Sequence, residues 1–427
     1  MMKRQILWLV YGALTGMIVG SAAALFLAGL EYATYLQIEH FWLLYVLPLA
    51  GAAVSLLYAR FGRNSSKGNN LIIEQVRRGD RKAESFEEVP FRMAPFILIG
   101  TWITHLFGGS AGREGTAVQM GGSLADWLSR LLKADAEGRR VLLLCGISAG
   151  FGSVFGTPWA GMIFALEAVT MGRRVAFSAI LPCLAAALIG NYTTLAWGIA
   201  HLAYDMGEIP SFSWMVVLNV MLASIAFGLM SLLFAVSVQG FKLFLLKLIA
   251  AGWARAFVGG LIVIALVYAA DSRDYLGLSL QLLLQSFQED LPAAAFIWKT
   301  IFTVVTLGSG YLGGEVTPLF VIGATLGSSL APFLHMNAGF LAGLGLIAVF
   351  AGAANAPIAC FVLGMELFGA AGAGYMLLAC VVSYMVSGHT GIYSAQLAGV
   401  NRPKYYIRVP GIQLLHQQYK KRRNARL

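Results

Sequence analysis

A glycine turn between positions 108 and 116 carries an arginine and a glutamate in otherwise apolar surroundings. It reads GGSAGREGT, with Arg113 and Glu114 among the glycines. A turn of this kind that opens a helix leaves unpaired backbone N–H groups at the positive end of the helix dipole, which is a site for an anion. The Glu114 carboxylate can occupy such a site when ionised and leave it when protonated. This chemistry predicts a gate that also carries a proton; the alternative is a carboxylate that only complements the dipole.

A second glycine turn with a glutamate lies in the second half of the chain. It reads GGEVTP from Gly313 to Pro318 and leads into another predicted helix, whose first turn tolerates a proline. Thr317 can be the N-cap of that helix or turn its hydroxyl toward an ion. Glu315 is unusual in a chain with few charges, so we predict that it handles protons or ions. The alternative is a structural partner for the helix dipole.

Two further polar elements lie beside apolar segments. The first is Gly68-Asn69-Asn70, where the two N–H donors of an asparagine amide would suit a small, strongly hydrated anion that loses its water. Taken alone, this tripeptide is an ordinary turn signal. The second is Gly391-Ile392-Tyr393-Ser394, in which the tyrosine hydroxyl could donate to a buried anion, although tyrosines equally occur at membrane interfaces.

The elements that must position these residues are membrane helices. Of 427 residues, 58% are hydrophobic and 12% are charged, whereas about 25% are charged in soluble proteins. At about 20 residues per crossing, the apolar sequence predicts on the order of ten spans. We therefore predict one polytopic membrane domain over residues 1–427, which excludes a single-pass receptor, collagen and a disordered chain. The apolar segments are near 6–34, 41–58, 93–108, 141–169, 175–200, 212–238, 248–270, 293–308, 316–334, 339–368 and 373–387.

The net charge of +10 predicts how the chain is oriented. Basic clusters between apolar segments are placed on the cytoplasmic side, as are both termini, and the acidic residues 271, 274, 289 and 290 on the outside. The basic tail, 401–427, could bind nucleic acid, but after so many apolar segments it is better explained as an orientation signal or a contact with lipid headgroups. The basic start and apolar run at the N-terminus are typical of a secretory signal, but the run is too long and has no convincing cleavage site. It predicts the first membrane helix.

The order of glycine-glutamate turn, apolar helix and Pro-x-Ala helix occurs twice. Pro158-x-Ala160 is followed by Glu167 at the spacing that separates Pro357-x-Ala359 from Glu366. We predict two related halves, roughly 1–200 and 201–400, with the site at their interface; the alternative is chance similarity in Gly- and Ala-rich sequence. The two glutamates are predicted to cap or bridge helices. The four cysteines are predicted core residues, and the spacing of the histidines and cysteines indicates no metal site.

With these elements in this order, the chain resembles the CLC family of anion channels and proton-coupled anion exchangers over nearly its whole length. The resemblance rests on the GREG turn, the segment 158–164 with Glu167 three residues after it, the second glycine turn and Tyr393 near the end of the membrane part. Chloride members typically have proline where this chain has Thr116, serine at the position of Asn69, and an aliphatic residue followed by phenylalanine in place of Glu315 and Val316. GREGT together with GGEVTP is similar to the fluoride/proton antiporter branch.

The resemblance implies an all-α integral membrane protein with the CLC-type fold, in which two inverted-topology halves contain many tilted and broken helices. It also implies a homodimer with one pathway per subunit. Because the chain ends soon after its last predicted membrane segment, we expect no cytoplasmic regulatory domain. Glu114 matches the gating glutamate and proton carrier, and Glu315 a residue for proton or ion coupling. Ala168 stands where chloride/proton exchangers carry a second internal glutamate, so proton coupling should depend on Glu114, with Glu315. The predicted anion-binding residues are Asn69, Gly115, Thr116, Val316, Thr317 and Tyr393.

The resulting hypothesis is fluoride export in exchange for protons across a bacterial inner membrane, by a protein that contacts lipids and needs no cofactor. A chloride channel or chloride/proton exchanger of the same fold is the alternative, which Asn69 and Glu315 disfavour. A third hypothesis is a membrane-embedded enzyme or a scaffold without transport. An enzyme should show clustered His, Asp or Cys at catalytic spacing, and the sequence lacks such a cluster.

Overall fold

The computed structural model describes residues 2–78, 89–170, 177–288, 291–388 and 390–397, and within these ranges the protein is helical with no strand. Four short 3-10 turns, 41–46, 63–67, 177–179 and 394–397, connect the helices. The sixteen α-helices of the described ranges are α1 (Met2–Glu39), α2 (Leu47–Phe61), α3 (Asn69–Arg78), α4 (Met93–Leu106), α5 (Glu114–Leu131), α6 (Ala136–Phe155), α7 (Pro158–Thr170), α8 (Ile180–Ala196), α9 (Trp214–Leu248), α10 (Gly252–Ala270), α11 (Leu280–Gln285), α12 (Ala295–Gly308), α13 (Val316–Leu334), α14 (Ala338–Ala354), α15 (Pro357–Phe368) and α16 (Ala373–Ser387).

Many of these helices are too short to cross a membrane alone. In the described part of the chain, seven helical segments are long and apolar enough to span, and they contain α1, α2, α6, α8, α9, α10 and α13. Six further apolar helices have only 10–17 residues. At 1.5 Å per residue, these fall short of the ~30 Å hydrocarbon core of a bilayer. The predicted all-α membrane fold with broken helices is therefore confirmed, and its N-terminal apolar run is the long helix α1.

The structure divides two of the predicted apolar segments. The stretch 141–169 breaks at Gly156, which has φ of +75°, and α7 then begins at Pro158. The stretch 339–368 breaks at Asn355, which has φ of +54°, and α15 begins at Pro357. A left-handed residue ends a helix and a proline favours the first turn of the next, so each break has a local cause.

One buried helix was missed by the search for apolar segments. α5 contains Gly121, Gly122, Ser123 and Asp126, which lower its hydrophobicity, yet most of its residues are buried inside the protein. Its backbone approaches α6 so closely that a Cβ on Gly121 would lie 2.1 Å from the Gly146 carbonyl oxygen. Small residues at a helix interface allow the two backbones to come this close. The helices therefore pack through backbone contact, without large apolar side chains.

The repeated segments contact each other reciprocally. The Glu167 carboxylate accepts hydrogen bonds from the backbone N–H groups of Ile358 and Ala359 at 3.1 and 2.7 Å, at the start of α15. The Glu366 carboxylate accepts from the N–H groups of residues 159 and 160 at 3.0 and 2.8 Å, at the start of α7. The predicted capping role of both glutamates is confirmed. The division into inverted halves at 1–200 and 201–400 stays a prediction.

The predicted core cysteines are all buried and unpaired. Several predicted charge clusters lie outside the described residues, namely the tail 401–427, the basic pairs 81–82 and 173–174, and the acidic pair 289–290. The placement of loops and termini on either side of a membrane therefore stays a prediction.

Candidate anion and proton site

The two glycine turns meet face to face. The backbone N–H of Gly112 donates to the Gly314 carbonyl oxygen, and that of Gly314 donates to the Gly112 carbonyl oxygen, both at 2.7 Å. The starts of α5 and α13 are thereby held side by side. A Cβ on Gly314 would lie 2.7 Å from the Gly115 nitrogen, and one on Gly115 would lie 3.0 Å from the Gly314 Cα. The glycines are needed at this crossing because any larger residue would push the two turns apart.

The Glu114 carboxylate lies at the start of α13. The side chain is completely buried, and the Thr317 N–H donates to its Oε2 at 2.9 Å. The Thr317 hydroxyl donates to the same carboxylate, with Oγ1 2.6 Å from both oxygens. The Arg113 N–H adds a bond at 3.2 Å, and its Nε lies 3.4 Å from Oε1. A carboxylate from the first half of the chain thus lies at the start of a helix from the second half, which is a position where backbone N–H groups can bind an anion.

The position of Thr317 corrects one of its two predicted roles. The helix α13 begins at Val316 after the N-cap residue Glu315, so Thr317 is inside the first turn and is not the N-cap. Its hydroxyl instead turns outward to the Glu114 carboxylate, which agrees with the other predicted role, contact with an anion. Pro318 lies in the first turn, as predicted. Val316 is buried at the head of the helix, where backbone N–H groups have no helical acceptor.

Glu315 lies apart from the Glu114 carboxylate contacts. It is half-buried, and among the described residues no group hydrogen-bonds or ion-pairs with its carboxylate. Lys242 on α9 acts on it as an opposite charge, without an ion pair. A carboxylate without a fixed partner is free to exchange a proton, since no structural bond depends on its ionised form.

Asn69 and Tyr393 come together on the wall of one small cavity. Its lining also includes Val118, Phe164 and Ala168. Asn69 is the first residue of α3, and its buried Oδ1 has no hydrogen-bond partner among the described residues. Its Nδ2 would lie 3.2 Å from a Cβ on Gly115, so the amide reaches the start of α5. The cavity is therefore next to the turn that carries Glu114.

A hydrogen-bonded 3-10 turn, Ser394–Leu397, fixes Tyr393 at this cavity. The Gln396 amide donates to the carbonyl oxygens of Ala168 and Ala354 at 2.9 and 2.8 Å. The Ala395 N–H donates to the Asn70 side chain at 2.9 Å, and the Arg77 guanidinium bonds the Gln396 carbonyl oxygen. Asn70 thus positions the segment after Tyr393, while its neighbour Asn69 faces the cavity.

The Thr116 side chain is not brought to the other predicted site residues. Its hydroxyl is 2.8 Å from the Thr101 hydroxyl on α4, and Thr101 in turn donates to the Ile97 carbonyl oxygen. Thr116 therefore joins α5 to α4, and only its backbone belongs to the first turn of α5. Gly115 contributes by its lack of a side chain.

A row of buried polar residues on α12 was missed by the sequence analysis. Lys299, Thr303 and Thr306 are fully buried in an otherwise apolar helix. Their spacing of i, i+4 and i+7 places them on one face of the helix, and all three contact Ser110 in the first glycine turn. That spacing was the available signal, since a lysine inside an apolar segment is costly unless it is hydrogen-bonded.

A helical membrane protein in which a buried carboxylate occupies a helix end beside a small cavity, lined in part by Asn69 and Tyr393, has the features of an ion transporter. The profile of the family described as "Voltage gated chloride channel" matches residues 50–388. The chain belongs to this family, the CLC family, as the sequence predicted.

Two curated relatives and two solved structures extend this result. The chain is 48% identical over 400 residues to the chloride/fluoride channel protein of Pseudomonas syringae pv. tomato, covering 92% of this chain and 86% of the relative. It is 25% identical over 389 residues to the H(+)/Cl(-) exchange transporter ClcA of Cronobacter sakazakii, covering 86% and 83%.

The crystal structure of a CLC-type fluoride/proton antiporter superposes with a TM-score of 0.86 at 31% identity, covering 92% of this chain and 98% of that one. The crystal structure of a slow cyanobacterial Cl-/H+ antiporter superposes with a TM-score of 0.79 at 20% identity, covering 97% of this chain and 98% of that one. This likeness shows the shared fold.

Proposed function

We propose that this protein exchanges fluoride for protons across a bacterial inner membrane and that Glu114 is both the gate and the proton carrier. The observation that carries the proposal is the buried Glu114 carboxylate bound by the N–H and hydroxyl of Thr317. Donors that bind a carboxylate can equally bind a small anion, because both need N–H and O–H groups in place of water.

Protonation of Glu114 supplies the switch. A neutral carboxyl loses its attraction for the dipole of α13, so it leaves and exposes the Thr317 donors to fluoride. Asn69 and Tyr393 add an amide and a hydroxyl at the adjacent cavity, and Gly115 and Val316 add backbone N–H groups at the two helix starts. Fluoride, which is strongly hydrated, then exchanges its water for these donors. When Glu114 is deprotonated it competes for the same place, which couples the two ions.

Beyond Glu114, the proton cannot pass through a second carboxylate at the position of Ala168, where chloride/proton exchangers carry a glutamate. Ala168 lies in the wall of the cavity and cannot titrate. Glu315 is the other glutamate of the paired turns and has no fixed partner among the described residues. We assign to it the second role in proton or ion coupling.

The 31% identical structure supports fluoride as the substrate, whereas the name of the 48% identical relative covers both anions. The 48% identical relative is named a chloride/fluoride channel protein, and the 31% identical structure is a fluoride/proton antiporter. The second candidate, a chloride channel or chloride/proton exchanger, is favoured by the relative at 25% identity, which is an H(+)/Cl(-) exchanger. Family membership also supports a homodimer with one pathway per subunit, two inverted halves and cytoplasmic termini.

Anion release from liposomes tests the proposal. Purified protein should release fluoride at least tenfold faster than chloride, and a proton gradient should drive fluoride movement. Glu114→Gln should abolish or severely slow coupled exchange. Glu137→Gln is the matched control, because Glu137 is an exposed residue ion-paired with Arg4 at the start of α6. Equal release of both anions would refute the selectivity, and intact proton coupling in Glu114→Gln would show that another group carries the proton.

A further inference from the structure

Lys299 on α12 has its charged group entirely inside the protein. Its Nζ lies 2.9 Å from the Ser110 Oγ, the Gly277 carbonyl oxygen and the Ser279 Oγ, and 3.2 Å from the Tyr275 carbonyl oxygen. Within the described residues, no carboxylate is close enough to form an ion pair with it. A buried lysine therefore depends on these neutral acceptors alone.

The neighbours of the Lys299 Nζ are arranged as hydrogen-bond acceptors. The two carbonyl oxygens can only accept, and the Ser279 hydroxyl donates to the Leu276 carbonyl oxygen at 3.2 Å. The Ser110 hydroxyl has the Thr303 hydroxyl as a second partner at 2.9 Å. All the groups around Nζ thus accept hydrogen bonds, so the three protons of an ammonium group can all be used.

Ser110 connects Lys299 to the turn that carries Glu114. The Ser110 N–H donates to the Thr306 hydroxyl at 3.1 Å, so both its backbone and its side chain are bound to α12. Next along the turn, the Ala111 carbonyl oxygen is 3.0 Å from the His105 ring, and Gly112 is paired with Gly314. Hydrogen bonds therefore hold the first glycine turn to α12, to α4 and to the second glycine turn.

We propose that Lys299 is a positioning residue for Glu114, acting through Ser110 to hold the glycine turn at the distance from α13 at which the carboxylate reaches Thr317. Through Tyr275 and Gly277 it also joins the turn to the loop between α10 and α11, residues 271–279. The inference rests on the proposed function, since it assumes that docking of the Glu114 carboxylate competes with an anion.

Fluoride binding in a double-mutant cycle tests this role. Titration calorimetry on the purified protein should show that Lys299→Met and Ser110→Ala each tighten fluoride binding at least fivefold, because the displaced Glu114 carboxylate competes less well. In the Glu114→Gln background the same substitutions should change the Kd less than twofold. Ser110→Ala removes no charge and keeps the test valid if Lys299→Met does not fold.

Arg255→Met is the matched control, because Arg255 also donates to two carbonyl oxygens, those of Ile249 and Ala250 at 2.9 Å, but at the start of α10. It should leave the Kd unchanged. Equal changes in both Glu114 backgrounds, or weaker binding in each, would overturn the inference and make Lys299 a packing residue. If the wild-type protein binds chloride and not fluoride, the proposed substrate fails, and the same cycle with chloride still tests the positioning role.

Discussion

Replacing Thr317 with valine isolates one contact of the proposed gate. The substitution removes the hydroxyl that lies 2.6 Å from both Glu114 oxygens, while the Thr317 N–H at 2.9 Å and the Arg113 N–H at 3.2 Å remain. A hydrogen bond to a charged group contributes about 1.5–3 kcal/mol. At about 1.4 kcal/mol per factor of ten, the docked carboxylate should lose roughly ten- to hundredfold in population relative to the undocked one.

The expected consequence is looser coupling of fluoride to protons, even though fluoride also loses the Thr317 hydroxyl as a donor. If docking of the ionised carboxylate keeps the pathway closed, a weaker dock lets fluoride pass without a proton. In liposomes, Thr317→Val should therefore move several times more fluoride per proton than the wild-type protein, with both ions recorded in the same experiment. Thr317→Ser restores the hydroxyl and should restore the coupling.

Thr325→Val is the control for this experiment. Thr325 is buried on the same helix, and its hydroxyl donates only within the helix, to the carbonyl oxygens of Val321 and Ile322 at 2.7 and 3.2 Å. It should retain wild-type coupling. The reasoning is wrong if folded Thr317→Val protein exchanges fluoride and protons in the wild-type ratio, because the hydroxyl then contributes nothing to the closed state.

Four other substitutions separate structural from transport roles. Glu167→Gln and Glu366→Gln should each destabilise the protein by about 1–2 kcal/mol, because each weakens the cap on a helix, and should lower the unfolding temperature in detergent. Glu315→Gln should reduce fluoride transport or its coupling without lowering that temperature; normal transport would make the residue structural. Gly115→Ala should slow fluoride release at least tenfold, since the methyl group would lie 3.2 Å from Asn69 Nδ2, and an unchanged rate would show that the helix starts have room to separate.

The sequence identifies candidate residues for the site, whereas it does not predict their contacts. Each glycine-glutamate turn is a local motif, and its anion-binding chemistry follows from a few neighbouring residues. Nothing local indicates that the Glu114 side chain reaches the other turn, because the pairing of Gly112 with Gly314 depends on the path of the whole chain. For the same reason the sequence does not show that Thr116, one of the predicted anion-binding residues, uses its hydroxyl to contact Thr101 on α4.

The bounds of the helices show a different limit of prediction from sequence. Averaged hydrophobicity merges α6 with α7 and α14 with α15, although Gly156 and Pro158 and then Asn355 and Pro357 mark each break in the sequence. The opposite error occurred at α5, which packs through glycines and so has little hydrophobic signal. Both errors arise because hydrophobicity reports contact with lipid or apolar core, whereas broken and glycine-packed helices are determined by backbone geometry.

The same interaction, in which a glutamate from one half of the chain binds a helix start from the other half, occurs at three places among the described residues. Glu167 and Glu366 each accept from two backbone N–H groups, and Glu114 accepts from an N–H and the Thr317 hydroxyl. The three glutamates are bound by similar donors, so the strength of these hydrogen bonds alone does not distinguish a gate from a helix cap. What distinguishes Glu114 is its position in a glycine turn beside the cavity lined by Asn69 and Tyr393. In the proposed mechanism, a proton that releases Glu114 therefore opens a place for an anion, whereas one that releases a cap only weakens the fold.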